Sequence, residues 1–442
     1  MSDGRWLRGV VTGLILTAGV GVEAAGPAAG ANPVAAVSGT PSSGGWAVVA
    51  ERLRAAARET AWRHDAVTTA PTTAQLGQCV DLNRGFWLGR LRSDGFFEPV
   101  TDLRRRDVAG VSEAPEARSQ AAALWALASL CRERPTPEAR QALMLGLDAF
   151  ARYTREFPVR ASAPLLPDDT EIYAATVAYL ALSMLEMTAG RERDLTPDGL
   201  RQIELWLKNH LAWLAAMENR EGGWAVKYVT LDHSRDTTTE PATDGLCFLA
   251  AVRAARWLGR SEELARLTDH GRLLARRYTG DGWQHLRDPA ATRAFLVFGT
   301  VAYRELAQAG GADAEVFRAL AVGAAWWLAL DQGAVRRERG LPQTALILLT
   351  GARAATEAGD PAAAARLNAL SGPWLRRLVT WQVAGPLASE NSYLRRVDRL
   401  PPRTTGGFMT GDETGLLRIG DQVVPVQALL TAVRTTPLPA KP

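Results

Sequence analysis

The sequence predicts an all-α fold in which two kinds of helix alternate along the chain. Segments of the first kind are apolar or small on every helical face, which is typical of helices buried on all sides. Segments of the second kind carry Arg and Glu along one stripe, which is typical of helices with one face in solvent. No stretch shows sustained alternation of apolar and polar residues, so we expect short strands in loops at most.

Six segments belong to each kind, and their starts are well marked. Thr136, Thr196 and Asp360 each precede a proline, which places a capping side chain before Pro at the first helical position. The predicted inner helices are residues 116–131, 170–188, 244–258, 290–307, 343–355 and 421–433. The predicted outer helices are residues 46–64, 136–156, 196–218, 261–278, 312–331 and 360–382.

Composition and charge narrow the class of protein. The chain has 442 residues, of which 47% are hydrophobic, and this is enough for a large core. The net charge of +4 comes from arginines that are spread over the outer helices without interleaved aromatic residues, which argues against nucleic acid as a partner. The three cysteines show no metal-binding spacing, and we predict Cys131 and Cys247 to be buried thiols. Neither a metal nor another cofactor is predicted.

The N-terminal segment has the features of a signal peptide. Two arginines precede the apolar run at residues 9–22, and small residues follow at a typical cleavage position. The run is too short and too rich in glycine for a membrane span, so we predict a periplasmic or secreted protein without a membrane span after cleavage. The predicted organisation is a signal peptide at 1–24, a flexible leader at 25–45, one folded domain at 46–436 and a disordered tail at 437–442.

Six inner and six outer helices in antiparallel hairpins resemble the (α/α)6 toroid. In organisation the sequence is similar to six-hairpin glycosidases, several polysaccharide lyases and glucuronyl C5-epimerases. The stretches that carry this resemblance are Arg90-Leu91-Arg92-Ser93-Asp94-Gly95-Phe96-Phe97, Gly406-Gly407-Phe408, Arg418-Ile419 and, in the last inner helix, Asp421 and Gln427. The resemblance implies an active site in the funnel at the N-terminal ends of the inner helices, and a carbohydrate as substrate.

Acidic residues precede two of the inner helices. With Asp168 as the N-cap, Asp169 and Glu171 would lie in the first turn of the second inner helix, while Glu240 and Asp244 open the third. A glycosidase needs two carboxyl groups, one to protonate the leaving oxygen and one to activate water or attack the sugar. We therefore expect Asp169 or Glu171 to pair across the funnel with Glu240 or Asp244. Capping of the helix dipole is the alternative explanation for each acid.

Loop aromatics are candidates for binding sugar rings. Four loops repeat a glycine-aromatic element: Asp94-Gly95-Phe96-Phe97, Gly222-Gly223-Trp224, Asp281-Gly282-Trp283 and Gly406-Gly407-Phe408. If these loops gather on the open face, their rings are stacking platforms; otherwise they cap the core. The candidate platforms are Trp87, Trp224, Trp283 and Phe408.

Other polar residues near the predicted funnel complete the list. Tyr173 and His285 could transfer protons in a lyase or an epimerase, as could Tyr228 and His233. Arginines at the starts of inner helices oppose the helix dipole, so each needs an anionic partner, either an acid of the ring or a ligand carboxylate. These arginines are Arg118, Arg293 and Arg418.

The sequence thus predicts an exported carbohydrate-active enzyme that acts on an oligosaccharide or polysaccharide. Glycoside hydrolysis by two carboxylates is the leading chemistry. A uronate polysaccharide lyase or C5-epimerase is the first alternative. A non-catalytic glycan-binding or scaffold protein of the same fold is the second.

Overall fold

The computed structural model describes residues 48, 52–55, 70–103, 116–159, 161–189, 196–219, 222–280, 283, 288–330, 340–411 and 415–435. The predicted signal peptide, leader and tail lie outside these residues, as does His285. No helix in these ranges is long and apolar enough to cross a membrane.

Twelve long helices of the described ranges alternate between two layers. In chain order they are α1 Thr73–Arg90, α2 Ala117–Glu133, α3 Pro137–Arg152, α4 Ala174–Thr188, α5 Pro197–Ala216, α6 Pro241–Trp257, α7 Ser261–Thr279, α8 Pro289–Ala309, α9 Ala314–Leu330, α10 Leu341–Glu357, α11 Pro361–Thr380 and α12 Val423–Thr435. Each even-numbered helix packs against the next even-numbered one, and α12 packs against α2. The even-numbered helices therefore close an inner ring, with the odd-numbered helices outside it, which confirms the predicted (α/α)6 toroid.

The first outer helix is not the predicted one. We expected residues 46–64, whereas α1 lies beside α12 and α2 and completes the outer layer. Of residues 46–64 the structure describes only 48 and 52–55, which are helical. The prediction missed α1 because this helix has no single polar stripe: Cys79, Phe86 and Trp87 are buried together with Arg90.

The start of the second inner helix also differs from the prediction. Residues Glu171–Tyr173 form a strand that pairs antiparallel with Lys227–Val229, and α4 begins only at Ala174. Asp168 is therefore not a helix N-cap, and Asp169 and Glu171 are not in a first turn. The cause is a pairing partner more than fifty residues further along the chain, which local helix signals do not reveal.

Short strands form the loops, as expected. In chain order they are β1 Val100–Asp102, β2 Thr154–Phe157, β3 Ala161–Pro164, β4 Glu171–Tyr173, β5 Glu218–Asn219, β6 Gly223–Trp224, β7 Lys227–Val229, β8 Ser234–Asp236 and β9 Leu416–Arg418. All pairings are antiparallel, and β4, β7 and β8 form one three-stranded sheet beside the N-terminal ends of α4 and α6.

The predicted caps and buried thiols are present. Thr136 accepts a hydrogen bond from the backbone of Ala139 at 3.2 Å, and Thr196 accepts one from Gly199 at 3.1 Å. Asp360 caps α11 in the same way. Cys131 and Cys247 are buried, which confirms that prediction.

Glycines let the inner helices approach closely. A Cβ atom on Gly245 of α6 would lie 2.4 Å from the carbonyl oxygen of Phe295 in α8, and one on Gly351 of α10 would lie 2.3 Å from Cβ of Ala325 in α9. Contacts this short are forbidden, so these helix pairs can keep their separation only with glycine at both positions.

Gly245→Ala is expected to lower the free energy of unfolding by about 1–3 kcal/mol, because the added methyl group forces α6 away from α8. Gly85→Ala is the matched control. Gly85 also lies within a helix, but its Cβ would meet nothing within 4 Å, so alanine should leave stability unchanged or raise it by about 0.5–1 kcal/mol. Urea unfolding of both variants measures the difference. Equal effects would contradict the close packing of α6 on α8.

Candidate active site

The N-terminal ends of the inner helices form a polar mouth. Strand β4 and the loop before it bring acids to the start of α4, and Glu240 precedes α6. Glu116 and Arg118 lie at the start of α2, and a short 3-10 turn, Ile419–Gln422, precedes α12. Residues from four different hairpins therefore share this end of the ring.

Arg118 connects the acids of neighbouring hairpins. Its Nη1 lies 3.3 Å from Oε2 of Glu240, and its Nε lies 4.0 Å from Oε1 of Glu116. Glu240 also accepts a hydrogen bond from Thr243 at 2.6 Å. The guanidinium carbon lies 5.8 Å from the centre of the Tyr173 ring, within range of a cation-π interaction. Arg118 therefore has an acidic partner within the ring, one of the two possibilities that the sequence left open.

Asp169 is the most perturbed acid of the loop before α4. Burial, followed by the negative charges of Glu116, Asp168 and Glu171, raises its pKa from 3.8 to about 6. The side chain is only half-buried. Asp169 therefore combines access to solvent with a pKa near neutrality, as a general acid requires.

Glu171 is held by two donors from the strands around it. The hydroxyl of Tyr173 donates to Oε2 at 3.0 Å, and Nζ of Lys227 donates to Oε1 at 2.6 Å. Burial and the hydrogen bond to Glu171 raise the pKa of Tyr173 to about 12. Both oxygens of Glu171 are therefore occupied, which suits a positioning role better than attack on a substrate.

Beneath the mouth lies a layer of aromatic rings. Tyr179 of α4 lies within electrostatic range of Arg118, Glu240 and Asp421. The Trp125 ring lies 5.7 Å from that of Tyr179 and 5.5 Å from that of Phe298. These three rings form the floor of the funnel.

Asp244 does not line the funnel, so that part of the prediction is wrong. It is fully buried and accepts a hydrogen bond from the backbone of Trp224 at 2.7 Å and another from the hydroxyl of Tyr278 on the outer helix α7. Burial raises its pKa to about 6. The carboxylate therefore points between the two helix layers, because the unpaired amide of β6 requires an acceptor there.

Glutamine makes the same contact in two other hairpins. Gln120 of α2 accepts from the backbone N–H of Phe97 at 2.7 Å, and Gln422 accepts from that of Phe408 at 2.7 Å. Each glutamine also donates to the carbonyl of the same residue. Since a glutamine cannot exchange protons, this repeated contact is a structural lock between the glycine-aromatic loop and the inner helix.

The predicted stacking platforms are also wrong. All four rings are at most 1% exposed, and they pack between helices: Trp87 against Phe97, and Trp283 against Trp327. The remaining two are Trp224 and Phe408. For Trp224 and Phe408 the hydrogen bonds to Asp244 and Gln422 fix the loop backbone so that the ring turns inward, while Trp87 lies within helix α1.

The other candidates are scattered. Arg418 is exposed in β9 and lowers the pKa of Asp421, which burial raises. Arg293 is half-buried near the start of α8. The Tyr228 hydroxyl is 3.0 Å from Nδ1 of His233, but Tyr228 itself is buried.

Three residues of the mouth were not among the predicted site residues. They are Glu116, Tyr179 and Lys227. An acid directly before an inner helix is a signal that could have identified Glu116.

Across the described ranges, no group of three or more His, Cys, Asp or Glu side chains is placed to hold a metal ion.

Comparison with known proteins gives similarity at the level of the fold. No protein-family model and no curated sequence matches the chain. A sugar epimerase from a ruminal bacterium has a TM-score of 0.58 at 10% identity, over 83% of this chain and 100% of that one. The cellobiose 2-epimerase of Spirochaeta thermophila has a TM-score of 0.52 at 14% identity, over 82% and 96%.

A third similar structure is an α-1,6-mannanase of Salegentibacter sp. It is an inactive variant with two adjacent aspartates replaced by asparagine, in complex with α-1,6-mannotriose. Its TM-score is 0.53 at 10% identity, over 82% of this chain and 99% of that one. The chain has the toroid fold of these sugar epimerases and mannanases.

The lock at Asp244 predicts a difference between two substitutions. Asp244→Ala leaves the Trp224 amide and the Tyr278 hydroxyl without an acceptor, which should lower the free energy of unfolding by about 1–3 kcal/mol. Asp244→Asn keeps an acceptor oxygen and should lose less. Chemical denaturation measures both. If alanine and asparagine were equally destabilising, the lock would not be the reason for this carboxylate.

The raised pKa of Asp169 predicts a pH-dependent gain in stability on its removal. The unfolded chain loses this proton near pH 3.8 and the folded protein only near pH 6, so ionisation destabilises the folded state increasingly between these values. Asp169→Asn should therefore raise Tm at about pH 7.5 and leave it nearly unchanged at about pH 4. Asp168→Asn, in an exposed position with φ of 67° that asparagine tolerates, is the control and should show a smaller difference. An equal gain at both pH values would contradict the assignment.

Proposed function

We propose that the protein is an exported glycoside hydrolase that cleaves a neutral oligosaccharide or polysaccharide with Asp169 and Glu240. The observation that carries this proposal is the environment of Asp169, a half-buried acid whose pKa is raised to about 6. Such a group keeps its proton up to about pH 6 and can give it to the leaving oxygen of a glycosidic bond. Export is inferred from the signal-peptide features of residues 1–24.

Glu240 is the second carboxylate of the proposal. Glu116 is one of the charges that raise the pKa of Asp169, and Arg118 joins Glu116 to Glu240. This chain of contacts brings an acid of α6 close to the loop before α4. With Asp169 protonated, Glu240 can activate a water molecule or attack the sugar.

The charges of the mouth support a neutral sugar rather than a uronate. A uronate lyase or C5-epimerase needs a cation to bind the substrate carboxylate. Arg118 already forms an ion pair with Glu240, and Lys227 forms one with Glu171. The negative charge of Glu116 would further repel an anionic ring.

The similar mannanase provides separate support. Its inactive variant lacks two adjacent aspartates, and this chain contains a single pair of adjacent aspartates, Asp168 and Asp169. That pair lies in the loop before α4, at the mouth where the proposal needs it. Mannose-containing glycans are therefore the first substrates to test.

Tyr173 favours a second candidate function, a sugar epimerase. Its hydroxyl is hydrogen-bonded to Glu171 beside Arg118, so it could exchange a proton with a sugar carbon. Such an enzyme would change the sugar without cleaving a glycosidic bond. The two candidates therefore differ in their products.

The test is a reducing-end assay on a panel of neutral glycans that begins with α-1,6-linked mannan. We expect new reducing ends, and Asp169→Asn or Glu240→Gln should lower kcat by about 10²–10⁴-fold. Asp148→Asn, an exposed acid on the outer helix α3, is the matched control and should retain activity. An unsaturated product that absorbs in the ultraviolet would show that the enzyme is a lyase and not a hydrolase. An inverted sugar without cleavage would show that it is an epimerase. Full activity of both acid variants would reject the assigned pair.

A further inference from the structure

The C-terminal ends of the inner helices form a second polar layer, on the far side of the aromatic floor. Glu186 of α4 is nearly fully buried and accepts from Arg132 at 2.8 Å and from Arg253 at 3.0 Å. Glu305 pairs with Arg253 and Arg256, Glu357 pairs with Arg304, and Glu133 pairs with Arg434. Since Arg353 also belongs to this layer, six arginines face four glutamates there.

A cavity of about 30 Å³ lies inside the ring at this layer. Four arginines line it, together with Trp125, Thr350 and Gln427. The arginines come from four different inner helices: Arg253, Arg304, Arg353 and Arg434. The cavity lies beside Trp125 and is therefore separate from the acidic mouth.

Unsatisfied groups in the cavity wall are all hydrogen-bond donors. Nε1 of Trp125 and Nη2 of Arg434 are buried without a partner. Arg353 forms no hydrogen bond or ion pair with any described residue, although Glu357 and Glu305 act on it from a distance. Arg353 is half-buried, and its positive charge together with the unsatisfied N–H groups of Trp125 and Arg434 fits an anion better than a cation.

We propose that this cavity binds one small inorganic anion, of the size of a halide, held by Arg353, Arg434 and the indole N–H of Trp125. The volume admits a halide but excludes a sugar phosphate or a nucleotide, since a single water already needs about 10–15 Å³. The anion supplies the acceptor that these three donors lack. Its binding ties α2, α10 and α12 together.

The parallel inner helices offer a competing explanation for the excess of arginines. Their C-terminal ends carry partial negative charge, which stabilises cations without any ligand. The helix dipoles do not supply a hydrogen-bond acceptor for an N–H group. Burial, together with the charges of Arg304 and Arg434, lowers the pKa of Arg353 to about 10, so the dipoles do not fully offset the cost of placing this cation here. The hydrogen-bond deficit therefore distinguishes the two explanations.

The test measures chloride binding by ³⁵Cl NMR line width and by Tm, with gluconate replaced by chloride at constant ionic strength. The wild-type protein should show saturable line broadening and a saturable rise in Tm, because a ligand that binds only the folded state stabilises it. Bromide should displace the chloride and reverse the broadening.

Three variants complete the experiment. Arg353→Met should abolish the chloride dependence, and Trp125→Phe, which keeps the ring but removes the N–H, should weaken binding by about tenfold. Arg132→Met removes an arginine of the same layer that does not line the cavity, and its chloride dependence should remain that of the wild type. Wild-type behaviour of Arg353→Met and Trp125→Phe, or a Tm that follows ionic strength regardless of the anion, would overturn the proposal. So would the absence of saturable broadening in the wild type.

Discussion

Close packing of the inner ring is the constraint on which the rest of the structure depends. Where a glycine of one helix meets the backbone of the next, as Gly245 meets Phe295, there is no space for a polar side chain. The middle of the ring is filled by apolar side chains and by the rings of Trp125 and Phe298. Charged residues of the inner helices are consequently confined to the two ends, and any chemistry of the toroid has to be located there.

The ring also decides which acids are available for chemistry. Asp244 and Asp169 have similarly raised pKa values, yet Asp244 is enclosed between helix layers with two donors, while Asp169 is half-exposed among other acids. A shifted pKa therefore does not identify a catalytic group without its geometry. Gln120 and Gln422 accept a hydrogen bond from a loop amide in the same way as Asp244. Because a glutamine side chain does not titrate, this contact is structural and does not require an acid.

The sequence predicted most of the fold because helix patterns are local. Buried and striped helices were recognisable from residues within one or two turns, and caps such as Thr136 marked their starts. Features that depend on distant partners were missed. Strand β4 exists because Ile172 pairs with Tyr228, and Asp244 turns outward because Tyr278 lies 34 residues further along. The loop aromatics followed the same rule: Trp224 is buried by contacts with Leu214 and His270 that no local pattern specifies.

The two ends of the ring carry opposite excess charges, and helix dipoles give a common reason. All six inner helices run in the same direction, so their N-terminal ends add positive potential at the mouth and their C-terminal ends add negative potential at the far side. Acids such as Asp169 and Glu240 suit the first end, and arginines such as Arg353 suit the second. The same field that stabilises these residues leaves some of them incompletely paired. A parallel ring thus concentrates reactive carboxylates at one end and unsatisfied donors at the other, before any ligand is bound.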